Sequence, residues 1–449
     1  MTTRIAMISE HASPLARPGS IDCGGQNVYV AEVAKRLEAA GHEVDVFTRR
    51  DNPDSPRVSR WSQGVRVVHV PAGPARFVPK EDLLPYMDEF AANIIEYCRR
   101  LKRRFDVSHA NFFMSGLASL ALRKAMGTPF VVTFHALGRV RRLHQAEADR
   151  FPAERADIEE RLVASADRII AECPQDAGHL RDLYHAEEAR MRVVPCGVDP
   201  FVFHAVPRDL ARAAVGLPRD SFVVLQLGRL VPRKGVDDAI RAVASARQHH
   251  GVPATLLIVG GDHEEPDPQR TPEIARLRGI AQELGVGDAV RFVGRRDPSV
   301  LRLYYSAADV FVSLPWYEPF GMTPLEAMAC GTPVVGSAVG GLTHTIEHGK
   351  TGFLVPPHDP DGAAGRIAEL YHAPALRLAF GRAGLRRTRA RFSWDAVVAS
   401  LGRVYEEIAD QVRTPAAAMQ RAVREAAEAA RYAGLAAPVG ELAILGHNG

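Results

Sequence analysis

Two carboxylates eight residues apart, Glu318 and Glu326, frame the run Glu318-Pro-Phe-Gly-Met-Thr-Pro-Leu-Glu326. The residues between them suit a turn that opens a helix. Pro324, Leu325, Ala327, Met328 and Ala329 read as helix with Thr323 near its start, and Gly331 in Cys330-Gly331-Thr332-Pro333 is a terminator. A helix start offers unpaired N–H groups and the positive end of the helix dipole, which favour an anion or a hydroxyl-rich ligand in front of it. This reading puts Glu326 in the first helical turn and Glu318 in the loop before it, where both carboxylates can accept hydrogen bonds from sugar or ribose hydroxyls. Taken alone, the segment fits a helix-start glutamate and a solvated loop glutamate just as well.

A second motif weighs against that plain reading. Leu225-Gln-Leu-Gly228-Arg229-Leu-Val-Pro-Arg-Lys234-Gly235 follows an apolar strand and precedes a helix from about Val236. Such a turn lies at the carboxyl ends of the strands of an open α/β sheet, where ligands bind, so Arg229 and Lys234 read as a clamp on a diphosphate. A third turn, Asp22-Cys-Gly24-Gly25-Gln-Asn27, lies between the first strand and a helix with apolar positions at Val30, Val33, Ala34 and Leu37. Paired glycines there let a ligand approach the backbone closely. His135 and His109 stand at strand ends that face the expected cleft. Asp359-Pro-Asp361 matches a D-x-D metal pattern in form, but its place before Gly362-Ala-Ala-Gly reads as a helix cap.

Together these motifs resemble the retaining glycosyltransferases of family 4. That resemblance runs from Arg4 to about Ile408 and implies an α/β fold of the GT-B type, two Rossmann-like domains facing across a cleft. It implies catalytic roles for His135, Arg229, Lys234 and Glu318. The donor would be bound by Gly24, Gly25, Arg229, Lys234, Phe320, Gly321, Met322, Thr323 and Glu326, and the acceptor by Asn27, Lys80, Arg139 and Arg155. The activity implied is transfer of a hexosyl group from a nucleoside diphosphate sugar, UDP-sugar favoured, to a hydroxyl of a small polar acceptor. No cofactor and no metal is expected, because cations and helix dipoles would hold the leaving diphosphate. A non-catalytic sugar-nucleotide-binding protein and a nucleotide-sugar epimerase of the same architecture are the rival readings.

Within the family the chain looks two ways. His11-Ala-Ser-Pro-Leu-Ala-Arg-Pro-Gly, with Gly24-Gly-Gln-Asn27, is similar to the inositol-phosphate branch. Phe77-Val-Pro-Lys80 and Phe134-His-Ala-Leu-Gly-Arg are similar to the sucrose-phosphate and mannosylfructose-phosphate synthase branch. Phe112 and Ala136 stand where the inositol-phosphate branch has a tyrosine and a threonine, which removes two hydroxyls that could meet a phosphate.

The elements that must position these residues follow from pattern. A chain of 449 residues is long for one core. Apolar strands alternate with helical stretches, the mark of parallel sheets. Strands are expected at Ile5 to Ser9, Val44 to Thr48, Val65 to Val70, Val107 to His109 and Phe130 to Phe134. A second series is expected at Val223 to Leu227, Thr255 to Gly260, Val290 to Val293, Val310 to Ser313 and Val334 to Ser337. The turn-rich segment from Val193 to Pro200 divides the two series. The expected layout is an acceptor domain over 1–205, a nucleotide-sugar domain over 206–390, a helix over 391–412 returning to the first domain, and an Ala-rich tail over 413–449.

A net charge of +3 is too small to argue for nucleic acid. Five cysteines without a C-x-x-C pair read as reduced thiols. The chain start has too short an apolar run for a signal peptide and no stretch reaches membrane-span length, so the expected location is the cytoplasm. The run Arg99-Arg-Leu-Lys-Arg-Arg104 leaves weak contact with a membrane surface open, and a homodimer is open as well.

Overall fold

The structure, a computed structural model, describes residues 2–16 and 24–413. Cys23 and the Ala-rich stretch from residue 414 onward lie outside the described residues. The first half builds a sheet from β1 (Arg4–Ile8), β2 (Glu43–Arg49), β3 (Val58–Arg60), β4 (Val65–Val70), β5 (Val107–Asn111), β6 (Phe130–Thr133), β7 (Arg168–Ala171) and β8 (Met191–Val193). Their order is β3-β4-β2-β1-β5-β6-β7-β8, all parallel except the β3–β4 pair. The second sheet uses β9 (Phe222–Leu227), β10 (Ala254–Val259), β11 (Val290–Gly294), β12 (Val310–Ser313), β13 (Val334–Ser337) and β14 (Gly352–Val355). It is parallel throughout, in the order β11-β10-β9-β12-β13-β14. Central strands such as Phe222-Val-Val-Leu-Gln-Leu227 are buried along their whole length, as a parallel sheet covered by helices on both faces requires.

The helix Trp394–Arg413 turns back onto the first sheet. Its Tyr405 hydroxyl meets Nδ1 of His109 at 2.6 Å, and Trp394 packs edge-on to Tyr29. Val30 and Leu37 of the first domain therefore share one apolar cluster with Leu325 of the second domain and with Leu401 of the returning helix. Tyr317, although it belongs to the second half, packs into a core cluster of the first domain and stacks on His144 with ring centres 5.2 Å apart. Arg36 ties the same joint by charge, pairing with Asp199 in the connecting segment at 2.9 Å and with Asp395 at 3.0 Å.

His109 differs from expectation. It is fully buried within β5 rather than facing a cleft, because Thr133 and Tyr405 take its two ring nitrogens. Asp359 does cap a helix: its Oδ1 accepts the N–H of Gly362 at 2.9 Å at the start of Pro360–His372. Arg103, in the basic run, is engaged by Asp45 at 2.7 Å and Glu43 at 3.1 Å. No helix among the described residues is long and apolar enough to cross a membrane.

Candidate active site

The carboxyl ends of the two sheets face each other across a cavity of about 330 Å³. From the second domain, β9 runs into the turn that carries Arg229 and Lys234. Gly235, at φ +62, makes the corner: a Cβ there would come to 1.8 Å from the Leu314 carbonyl oxygen, so only glycine fits. The same demand recurs at Gly340, φ +50, whose missing Cβ lets it close on the Glu318 carbonyl. These close approaches hold the Glu318–Gly321 turn in place, and the helix Met322–Ala329 starts from it.

Lys234 Nζ pairs with Oε2 of Glu318 inside the cavity. Burial lowers the Lys234 ammonium below its ordinary range against the opposing pull of Glu318, and Arg233 and Arg229 push it further down. Arg229 is exposed on the cavity wall. Phe320, Gly321, Met322 and Thr323 complete this side.

From the first domain come Gly24, Gly25, Asn27, Lys80 and His135. A Cβ on Gly25 would reach Met322 Sδ at 3.1 Å, so the glycine turn of one domain lies close to the helix start of the other. Asn27 spends its side chain on that turn, accepting from the Gly24 N–H at 2.9 Å and donating to the Ser13 carbonyl at 3.0 Å. His135 has a left-handed backbone, φ +57, and its ring is held at both ends, Nδ1 by Glu172 at 2.9 Å and Nε2 by Asn111 Oδ1 at 3.1 Å.

Three expected residues stand elsewhere. Glu326 lies a full turn inside its helix, because the helix begins at Met322 once Gly321 has turned the chain at φ +90. It is half-buried and accepts the Tyr305 hydroxyl at 2.6 Å; burial raises its carboxyl to about 7, and the Tyr305 bond opposes that rise. Arg139 points away from the cavity, bonding Glu160 at 2.8 Å and lying over the Tyr184 ring. Arg155 is buried behind the wall, paired with Glu159 at 2.7 Å and packed 4.5 to 4.9 Å from the rings of Phe112, Phe113 and Phe151.

Cavity residues not anticipated from sequence include Arg141, Phe151, Glu172, Cys196 and Arg233, and His11, noted only within a motif, lines the cavity as well. Arg233 was within sight, next to Lys234 in the same turn. Glu172 had a positional signal too, since it directly follows β7 as His135 follows β6 with one residue between. Arg141 had none. Its guanidinium reaches the cavity because Asp149, at 2.9 Å, and the Phe151 ring hold it there.

A family model described as Glycosyltransferase Family 4 matches residues 23–200, and one described as Glycosyl transferases group 1 matches residues 207–387. D-inositol 3-phosphate glycosyltransferase of Acidothermus cellulolyticus is 41% identical over 418 residues, 92% of this chain and 92% of that protein. The chain belongs to the family 4 glycosyltransferases. Like this family 4 chain, the enzyme of the same name from Thermobispora bispora aligns nearly end to end, 39% identical across 91% of this chain and 96% of the other. Among solved structures, sucrose-phosphate synthase from Thermosynechococcus elongatus superposes with a TM-score of 0.81 at 36% identity, covering 90% of this chain and 99% of that one. Anabaena HepE, at 19% identity and a TM-score of 0.69 over 90% of this chain and all of its own, shares the fold. The two largely parallel sheets thus form a GT-B glycosyltransferase, an enzyme that works from a sugar-nucleotide donor.

Proposed function

We propose that this glycosyltransferase carries a hexosyl group from a nucleoside diphosphate sugar, UDP-sugar favoured, to a hydroxyl of a small polar acceptor such as a sugar, an inositol or a sugar phosphate. Configuration at the anomeric carbon is retained, no divalent metal is needed, and the reaction runs in the cytoplasm. The observation that carries this reading is the meeting of Arg229, Lys234 and Glu318 with His135 and the Gly24-Gly25 turn around one cavity. Arg229 and Lys234 supply positive charge for the diphosphate, and Glu318 and the N–H groups at Phe320 to Met322 supply partners for the hydroxyls of the transferred sugar. The Lys234 ammonium would exchange part of its contact with Glu318 for the diphosphate when the donor enters.

In the transfer itself the acceptor oxygen forms a bond to the anomeric carbon on the face from which the diphosphate departs. The bond from that carbon to the phosphate oxygen breaks, and the acceptor proton passes to that oxygen. No protein side chain has to serve as general base. Closure of the cleft excludes water from the oxocarbenium-like centre. The named activities of the 41% and 36% identical relatives both involve a phosphate ester, which supports a phosphorylated acceptor; Phe112 and Ala136, both on the cavity wall, provide no hydroxyl for one.

The test is a matrix of UDP-, GDP- and ADP-linked glucose, N-acetylglucosamine and mannose against sugars, inositols and their phosphates, with and without chelator. The anomer would be read by proton NMR. Transfer with retention that survives chelation supports the proposal; epimerised donor without acceptor, binding without turnover, or an inverted product would sink it.

A further inference from the structure

Glu172 is a carboxylate on the cavity wall that the transfer chemistry leaves unused. Its residue is 3% exposed, and one oxygen, Oε1, meets both Nδ1 of His135 at 2.9 Å and Sγ of Cys196 at 3.1 Å. We infer that Glu172 is a positioning residue: it fixes the His135 imidazole in the cleft and ties that ring to the segment joining the two domains. The inference rests on the transferase reading for its consequence in turnover, but not for its geometry.

Three observations converge. First, His135 holds a left-handed backbone, a conformation that is strained for a side-chain-bearing residue and persists only where the surroundings over-determine it. Its ring is over-determined in that sense, by Glu172 at one nitrogen, Asn111 at the other, and the Tyr29 ring edge-on at 4.9 Å. Second, both ring nitrogens face acceptors, the Glu172 carboxylate at Nδ1 and the Asn111 side-chain oxygen at Nε2, so Nδ1 is a donor held on Glu172. Burial would raise the Glu172 carboxyl, yet it lies below its ordinary value, because the charge and hydrogen bond of His135 and the thiol of Cys196 outweigh burial. Third, Cys196 belongs to the connection between domains, and its neighbours are locked. A Cβ on Gly197 would come within 2.7 Å of the Trp394 ring, and the Val198 N–H donates to the Phe392 carbonyl at 2.7 Å. Movement of that connection would therefore act on the carboxylate that holds the catalytic ring.

A carboxylate serving only to fill space would be replaceable without a specific link to His135. The decisive experiment is a double-mutant cycle: Glu172→Ala and Glu172→Gln, each alone and with His135→Ala, scored by kcat and KM for donor hydrolysis and for transfer. UDP affinity by calorimetry and thermal unfolding serve as controls. In the wild-type background Glu172→Ala is expected to lower kcat by about 10- to 100-fold, the order lost when a reacting group is misplaced, with UDP affinity and donor KM nearly unchanged. Glu172→Gln keeps an acceptor oxygen and should recover much of the rate. In the His135→Ala background Glu172→Ala should add less than about twofold, since groups that act as a unit are non-additive.

A second readout needs no turnover. In protein with 15N-labelled histidine, the Nδ1 resonance of His135 should move in Glu172→Ala and stay near its wild-type position in Glu172→Gln. Equal losses in both backgrounds, or an unmoved His135 resonance, would overturn the inference. If the wild-type chain consumes no sugar nucleotide, the transferase reading fails while the resonance still decides whether Glu172 holds the ring.

Discussion

Lys234 and Arg229 share a turn but differ in surroundings, and the difference separates two kinds of loss. Lys234 is paired with Glu318 in a half-buried ion pair, and removing one member leaves the other without its partner. Arg229 is exposed, so its loss costs the fold little. Both Lys234→Ala and Arg229→Ala should weaken UDP binding by about 10-fold or more, a cost of about 1.4 kcal/mol or more, in keeping with charge-assisted contacts to phosphate. Only Lys234→Ala should also lower the melting temperature. Calorimetry against UDP together with thermal unfolding checks both, and unchanged affinity in both variants would remove the diphosphate clamp from the site. On the facing wall, Phe112→Tyr with Ala136→Thr restores two hydroxyls beside the acceptor space and should raise kcat/KM for phosphorylated over unphosphorylated acceptors; an unchanged ratio would count against the missing-hydroxyl argument. These positions were legible in sequence because glycine turns and cations at strand ends have few other uses. Arg139 and Arg155 were misplaced for a physical reason. An arginine's direction is chosen by packing, and here Glu159 and three phenylalanine rings draw Arg155 behind the wall while Asp149 turns Arg141 into the cavity.

The helix Met322–Ala329 gives Glu326 a titration that function should report. Burial raises its carboxyl to about 7, above the ordinary value of 4.5. With the folded value raised, the protonated form is the one the fold favours. Its contribution to stability is complete below about pH 4.5 and is lost as pH rises through about 7. If Glu326 accepts ribose hydroxyls, as the family resemblance implies, it must be ionised to do so fully, and UDP affinity should then rise with pH across 7 and flatten above it. Glu326→Gln should remove that dependence. Calorimetry between about pH 6 and 8 tests this, and a wild-type curve no steeper than that of the variant would detach Glu326 from the donor. Among elements, strands buried on both faces announced themselves as apolar runs. The ones missed were β3, β7, β8 and β14. Three of these form sheet edges, where one flank needs no partner and residues such as Ser59, Arg60 and Arg192 are tolerated. The fourth, Arg168-Ile-Ile-Ala171, opens on a charged residue, which hides its apolar run.

At the scale of the molecule, the returning helix Trp394–Arg413 makes the first domain depend on a segment that follows the second domain. Its anchor is His109, whose ring lies inside the sheet between the Tyr405 hydroxyl at 2.6 Å and Thr133 at 2.8 Å. Sequence showed a histidine at a strand but not this contact, which spans 296 positions and exists only once the helix has folded back. Burial, with a smaller push from His135, lowers the His109 imidazole from 6.5 to about 3. The folded chain therefore refuses a proton that the unfolded chain takes up below pH 6.5. The stability due to this neutral, buried ring is complete above that value and declines as pH falls toward 3, at up to about 1.4 kcal/mol per pH unit. Tyr405→Phe should cost about 1 to 3 kcal/mol at neutral pH by leaving a buried ring nitrogen without its partner. His109→Gln should cost a comparable amount at neutral pH, but the variant should lose stability less steeply between pH 6.5 and 4.5, by about one proton's worth of slope, because glutamine does not titrate. Urea unfolding at intervals across that range, on wild type and both variants, measures the three slopes. Parallel wild-type and His109→Gln curves would mean that the ring accepts its proton without leaving the sheet, and the anchor would then lie in the apolar contacts of Trp394 and Leu401 alone.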